Sequence, residues 1–272
     1  MGASLNIDSK DFTFQGLDTR RGCIDDASAK DDSLYDAYDG AFYLFINKID
    51  FTDYNYRYHS STGAYTTEAG GREYVFDKVT LSGLTVSRKF YFPEDRNWVR
   101  CLEILYNPTG SPITVDVIIK SNLGSDSSTR VVMTSSGDKI VDKNDYWSVS
   151  DDQYGGHQKY DPSLAFNWDG PNGAKRVDSV EELMDTKDNL TYRWDKVTVN
   201  PGQTVVLMHF GGLGKNNNEV IAIAQDLYNY NDSKMEYDLQ EKDLIINWYP
   251  QRKKSLPMAK ILDILKANKD KE

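Results

Sequence analysis

Short runs in which apolar and polar residues alternate, each closed by a turn signal, recur along most of the chain. Residues 41–46, 72–76, 84–92, 99–106, 113–119, 130–134, 146–150 and 190–199 are rich in β-branched and aromatic side chains, which suit a pleated, half-buried surface. Residues 204–210 form a continuous apolar run of the kind buried on both faces. The punctuation between the runs has a mechanism. Pro93 cannot donate to a sheet ladder and closes the run 84–92. Asn107-Pro108-Thr109-Gly110-Ser111-Pro112, Ser135-Ser136-Gly137-Asp138 and Asn200-Pro201-Gly202-Gln203 carry the residues that tight reversals require, with glycine free to take φ > 0. Many short strands with regular turns predict a mainly β fold, a large antiparallel β-sandwich. The pairs Gly155-Gly156 and Gly211-Gly212 read as loop markers within it.

The period changes late in the chain. Asn216-Asn217-Asn218 can cap a helix, Glu219 adds a favourable charge to its first turn, and Val220, Ile223, Ala224 and Leu227 follow at helical spacing. Residues 239–248 read as a second short helix. The sandwich is therefore expected to span residues 1–249, closed by one or two short helices. Residues 250–272 differ again. Arg252, Lys253, Lys254, Lys260, Lys266, Lys269 and Lys271 face only Asp263, Asp270 and Glu272, and Ile261, Leu262, Ile264 and Leu265 supply an apolar side. This is a basic amphipathic tail on an acidic body.

Composition narrows the function classes. A chain of 272 residues buries enough surface to fold without staples. Its formal net charge of −10 opposes phosphate backbones, so nucleic acid is not an expected partner. No apolar run is long enough to span a bilayer, and Met1-Gly2-Ala3-Ser4 is followed by polar residues rather than the apolar stretch of a secretory leader. The two cysteines, Cys23 in a polar loop and Cys101 inside a strand-like run, leave open whether they pair. With no CxxC and no Cys/His cluster, a structural zinc site is not expected.

Several turns then agree, in order, with a known pattern. Asp36-Ala37-Tyr38-Asp39-Gly40 precedes a strand, Gly70-Gly71-Arg72 enters the next, and Leu81-Ser82-Gly83-Leu84 opens the run that ends at Pro93. Asn107 closes the following strand, and Ser121-Asn122-Leu123-Gly124-Ser125-Asp126 and Thr134-Ser135-Ser136-Gly137-Asp138 complete the series. This resembles a β-sandwich module of large bacterial surface and secreted proteins. Its strand grammar is also similar to the supersandwich of galactose-mutarotase-like and glucoamylase N-terminal domains. The resemblance covers residues 20–249. It implies a supersandwich-like fold and an extracellular or cell-surface setting, and it carries no catalytic residues over.

Candidate chemistry is sparse. Asp25, Asp26, Asp31, Asp32, Asp36 and Asp39 crowd one stretch, and loop carboxylates such as Asp32, Asp36 and Asp39 are ligands that Ca²⁺ takes, although the EF-hand spacing is missing; a solvated acidic loop is the alternative. Tyr54, Tyr56, Tyr58 and Tyr65 surround His59 and offer flat rings with polar tips for a glycan or a protein, or else a strand with tyrosines on one face. Trp147 and Trp168 flank Gly155-Gly156-His157 as a second platform. His209, in its apolar run, reads either as a general base or as a satisfied core group. There is no GxSxG elbow and no phosphate loop at Gly70-Gly71-Arg72.

The sequence thus points to a non-enzymatic structural or assembly module that docks on itself or another protein through Ile261, Leu262, Ile264 and Leu265. A glycan-binding or adhesion module and a carbohydrate-active enzyme of mutarotase-like fold are the rival expectations.

Overall fold

The alternating runs form strands whose inward faces meet in one apolar interior. The computed structural model describes residues 3–52, 63–125, 128–152, 160–183 and 188–248. In chain order the strands are β1 (Ser4–Asp8), β2 (Phe12–Asp18), β3 (Cys23–Ala29), β4 (Tyr43–Ile46), β5 (Ile49–Asp50), β6 (Tyr65–Glu68), β7 (Glu73–Phe76), β8 (Val79–Leu81), β9 (Leu84–Tyr91), β10 (Trp98–Tyr106), β11 (Ile113–Asn122), β12 (Arg130–Thr134), β13 (Trp147–Asp151), β14 (Ser163–Asn167), β15 (Ser179–Leu183), β16 (Asn189–Val199) and β17 (Thr204–Gly214). Helix α1 (Asn217–Tyr228) follows.

They pair antiparallel into three sheets. The largest has nine strands, in the order β12-β13-β14-β17-β10-β9-β7-β6, with β8 also on β9. The second has five, β15-β16-β11-β4-β5, and the third is the meander β1-β2-β3. Bridges Ile24↔Ala41 and Ala27↔Ala37 stitch β3 to the segment that runs straight into β4. The meander therefore extends the five-stranded layer.

Strand alternation divides each central strand of the large sheet between two environments. On β10, Val99, Cys101 and Leu105 join the main core with β4, β11 and β16, whereas Trp98 and Leu102 face the other way. There they meet Met208 and Phe210 of β17 and Leu227, Met235, Ile245 and Trp248 of the C-terminal region. The nine-stranded sheet is thus covered on both faces, which accounts for the unbroken apolar run at 204–210.

Helix α1 begins as the cap residues dictate. The Asn216 side chain accepts from the Glu219 N–H at 3.1 Å, and Glu219 reaches back to the Asn216 side chain at 2.7 Å and the Lys215 N–H at 3.0 Å. The second expected helix, over 239–248, does not form. Residues 233–236 and 242–244 make single 3₁₀ turns, and Ile245 pairs parallel with Val206 as an extended residue. The reason lies in hydrogen bonding to the sheet. The Ile246 N–H donates to the Val206 carbonyl at 3.0 Å, and the Asn247 side chain accepts from the Met208 N–H at 2.9 Å while donating to the Met208 and Trp168 carbonyls at 2.8 Å each. Tertiary partners replace the helical ones, and residues 233–248 become a strap across the sheet.

Other sequence expectations also change. Gly211 and Gly212 are inside β17, not in a loop: a Cβ at Gly211 would stand 2.4 Å from Phe42 Cζ, and one at Gly212 2.9 Å from Ile223 Cγ2. Trp147 and Trp168 are buried and form no surface platform. Cys23 opens β3, buried, rather than lying in a loop, and both cysteines are free thiols. Among the described residues no helix is long and apolar enough to cross a membrane.

The strap is seated through close approaches at two glycines, Gly173 against the Asn247 backbone and Gly170 against the Trp248 ring. A Cβ on Gly170 would lie 2.2 Å from Trp248 Cε3. Gly170→Ala should therefore cost about 2–3 kcal/mol by overpacking, whereas Gly110→Ala, where nothing stands within 4 Å, should stay within about 0.5 kcal/mol. Equilibrium urea unfolding of the two variants against the parent chain checks this.

Candidate functional site

Charged side chains at inward-facing positions are the most unusual feature of the strands. Arg88 on β9 and Glu103 on β10 are cross-strand partners on the core face, and both side chains are fully buried. The guanidinium grips the carboxylate at two points, Nε to Oε2 at 2.7 Å and Nη2 to Oε1 at 2.5 Å, while Nη1 donates to the Gly22 carbonyl at 2.6 Å. The rings of Phe90 and Phe51 lie 4.9 and 5.8 Å from the guanidinium carbon. His209, opposite Cys101 on β17, completes the group: its Nε2 is 2.9 Å from Glu103 Oε1 and its Nδ1 2.8 Å from the Tyr192 hydroxyl.

The protonation states follow from the partners. Burial pushes the Glu103 carboxyl up, but Arg88 and the hydrogen bond from His209 outweigh it and hold it below its ordinary value. An ionised carboxylate only accepts, so His209 Nε2 carries the proton and the Tyr192 hydroxyl donates to Nδ1. Burial lowers His209 against the pull of Glu103, so the ring stays neutral. Carboxylate, imidazole and phenol form a proton-relay geometry, yet none of them is exposed. A general acid or base must reach its substrate, and all three side chains are fully buried. His209 is buried with both ring nitrogens hydrogen-bonded, the arrangement of a satisfied core histidine.

The opposite face of the same sheet holds a second charged group under the strap. Arg100 pairs with Glu73 at 2.7 Å, donates to the Met235 and Tyr237 carbonyls at 2.6 and 3.2 Å, and lies 4.8 Å from the Tyr91 ring centre. Lys89 bridges Glu68 and Glu241, each at 2.6 Å. Here the fit is looser. Glu73 Oε2, Arg100 Nε, Glu241 Oε2 and Trp248 Nε1 are buried without a hydrogen-bond partner among the described residues. Burial accordingly raises Glu73, and single-point contact with Arg100 only partly offsets it. Glu103, gripped at two points, goes the other way.

A third buried acid anchors the end of the strap. Asp169 accepts from the Val177 N–H at 2.7 Å, Trp194 Nε1 at 2.9 Å, Arg176 Nε at 3.1 Å and Asn247 Nδ2 at 3.3 Å. Burial nevertheless pushes it up to about 6.

Open features also occur among the described residues, one of them a hollow of about 530 Å³ along β6 and β7. A cleft of about 690 Å³ lies between α1 and the start of β10, with Arg96, Trp98, Lys215, Glu219, Ile223 and Asp232 on its walls. Its charges are mutually engaged: Asp232 takes Arg96 Nε at 2.8 Å and Trp98 Nε1 at 3.1 Å, and Lys215 meets Asp31 at 2.5 Å. A smaller hollow of about 290 Å³ lies on the outer face of the five-stranded sheet.

The residues singled out from the sequence are scattered. Asp32, Asp36 and Asp39 are exposed, and among the described residues no three His, Cys, Asp or Glu side chains are grouped to hold a metal ion. Asp36 and Asp39 do act on Asp26, whose carboxyl is raised first by burial and then by these like charges. Tyr65 is exposed on β6, its ring 5.8 Å from that of Tyr74. Tyr54, Tyr56, Tyr58, His59 and His157 lie outside the described residues, as do Ile261, Leu262, Ile264 and Leu265. Arg88, Glu103 and Tyr192 went unnoticed in the sequence. Their signal was available: Val86-x-Arg88-x-Phe90 and Cys101-x-Glu103-x-Leu105 each place a charge where strand alternation demands an apolar residue.

Two outcomes test these assignments. Glu103→Gln leaves Arg88 buried and unmatched and should cost about 3–5 kcal/mol in urea unfolding. For Asp169, between about 6 and the ordinary 3.8 the folded chain holds a proton that the unfolded chain has released. Its contribution to stability therefore grows as pH falls through that window. Unfolding free energies at pH 7 and pH 4.5 should show the parent gaining on Asp169→Asn as the pH drops.

No known protein-family profile matches the sequence, and no curated protein matches it. Solved structures do match the fold. A galactose mutarotase-like protein from Lactobacillus casei aligns with a TM-score of 0.51 at 10% identity, over 78% of this chain and 100% of its own. A galactose mutarotase related enzyme from Lactobacillus acidophilus aligns at 0.43 and 10% identity, over 80% of this chain and 99% of its own. A heparan sulfate lyase from Pedobacter heparinus aligns at 0.37 and 10% identity over 64% of this chain, which spans only 24% of that enzyme's length. The chain has a galactose-mutarotase-like β-sandwich fold.

Proposed function

We propose that the chain is a non-enzymatic structural module of a bacterial surface or extracellular structure, associating with itself or with a partner protein through the basic segment 250–272. The observation that carries this reading is the fate of the acid–base groups. Glu103, His209 and Tyr192 satisfy one another inside the sandwich with no exposed atom to offer a substrate. The other face of the nine-stranded sheet is occupied by the chain's own α1 and strap. A sheet covered on both sides, with its ion pairs turned to internal bonds, favours rigidity over turnover. The acidic body and the basic amphipathic segment are complementary in charge, which favours association between copies.

The rival is a mutarotase-like enzyme, motivated by fold likeness, which does not carry function. Polarimetry separates the two. Addition of the chain should leave the mutarotation rates of α-D-galactose and α-D-glucose at their spontaneous values, and an acceleration that scales with protein concentration overturns the proposal. In the same preparation, Ile264→Asp combined with Leu265→Asp should lower the sedimentation coefficient of the full chain to that of a monomer. An unchanged assembly state removes the role given to residues 250–272.

A further inference from the structure

The outer face of the five-stranded sheet carries two cross-strand rows fixed by register. One runs Tyr43–Lys120–Thr191 and on to Glu181, the other Phe45–Ile118–Arg193 and on to Ser179. Together with Lys48, all of these except Tyr43 line the hollow of about 290 Å³. Phe45 and Ile118 give it an apolar floor, and Thr191, Ser179 and Glu181 place hydroxyl and carboxylate oxygens on one side.

Its cations are of two kinds. Arg193 is neutralised, with Asp116 at 2.6 Å and Asp195 also bonded to it. Lys48 and Lys120 are exposed, and among the described residues neither has a carboxylate at ion-pair distance. Lys120 is instead held with its Nζ 4.9 Å from the Phe45 ring centre, an orientation set by the ring and not by a counter-charge.

Lys48 carries a second, independent sign. The pairs Phe45↔Asp50 and Ile46↔Ile49 leave a two-residue hairpin turn in which Asn47 has φ 50° and Lys48 φ 68°. Both central residues of such a turn need positive φ, and glycine is the unstrained choice at the second. A lysine here keeps a strained backbone and puts an ammonium at the rim of the hollow. The surrounding structure holds the turn in place: the Asn47 side chain accepts from the Asp116 N–H at 2.8 Å, and the Asn47 N–H donates to the Asp116 carbonyl at 2.9 Å.

We propose that this hollow binds a carboxylate-bearing saccharide, a uronate residue of an anionic polysaccharide. The two uncompensated ammonium groups meet the carboxylate, Phe45 and Ile118 take the apolar face of the pyranose ring, and Glu181, Thr191 and Ser179 bond its hydroxyls. The mixed lining selects this occupant over an acidic peptide, which has the carboxylates but not the adjacent hydroxyls that Glu181 would accept from. The assignment is independent of the association proposed through residues 250–272.

The test uses the full chain in affinity electrophoresis and calorimetry against polygalacturonate, with its fully methyl-esterified form and poly-glutamate as comparisons. Binding should be seen with polygalacturonate, weaken with added salt, and fall at least about ten-fold on esterification. Lys48→Gly and Lys120→Gln should each weaken it about ten-fold. Because glycine relieves the turn, Lys48→Gly should leave the thermal midpoint unchanged or raise it, which a merely structural lysine would not do. No binding, equal binding of the esterified polymer, equal or tighter binding of poly-glutamate, or full retention in both lysine variants overturns the proposal.

Discussion

Arg88 and Glu103 face each other in the dry interior between two sheets, and charges in that position have to be answered on the spot. Removing either partner would strand an ion where water cannot reach it. The answer recruits much of the fold. The Gly22 carbonyl from the meander takes one guanidinium hydrogen, His209 from β17 reinforces the carboxylate, and Tyr192 from the opposing layer orients the imidazole. One small network thereby links all three sheets. It also fixes register: a one-residue slip between β9 and β10 would turn one of the two charges toward the other face and break the pair. Apolar packing alone tolerates such errors more readily than a two-point ion pair does.

The second face of the nine-stranded sheet is organised by a different compromise. The strap of residues 233–248 lies over Arg100, Glu73 and Lys89 and is held by backbone carbonyls, by Asn247 and by the slot at Gly170. Two of its polar atoms, Glu241 Oε2 and Trp248 Nε1, and two beneath it, Glu73 Oε2 and Arg100 Nε, have no partner among the described residues, whereas the core network is matched. The strap shields a large apolar cluster containing Trp98, Phe210 and Trp248. Opposite faces of the same strands thus carry a tightly matched polar network and a looser one.

Much of the strand layout was legible in the sequence because local chemistry and tertiary structure agree. Pro93 follows β9, Asn107 and its prolines separate β10 from β11, and Asn216 caps α1 as its side-chain chemistry requires. Disagreements arise where tertiary partners override local pattern. The apolar spacing at 239–248 suits a helix, but the free edges of Val206 and Met208 offer better hydrogen bonds. Gly211-Gly212 has the composition of a loop, yet the pair serves to let Phe42 and Ile223 approach the sheet. The core charges were legible in principle and overlooked in practice, because Arg88 and Glu103 stand in different strands and gain meaning only once hairpin register brings them together. The hollow at Phe45 could not have been read at all: its lining comes from four strands and one turn spread between positions 45 and 193.

The seat of Trp248 has a consequence for how the chain is made. Synthesis proceeds from the N-terminus, so every strand of the nine-stranded sheet has left the ribosome before the residues that cover its second face. Until Ile245 and Trp248 emerge, Leu102, Met208 and Phe210 form a bare apolar shelf beside the half-answered charge of Arg100. Closure of that face is therefore the last step of the fold, made by residues that dock onto strands already in place.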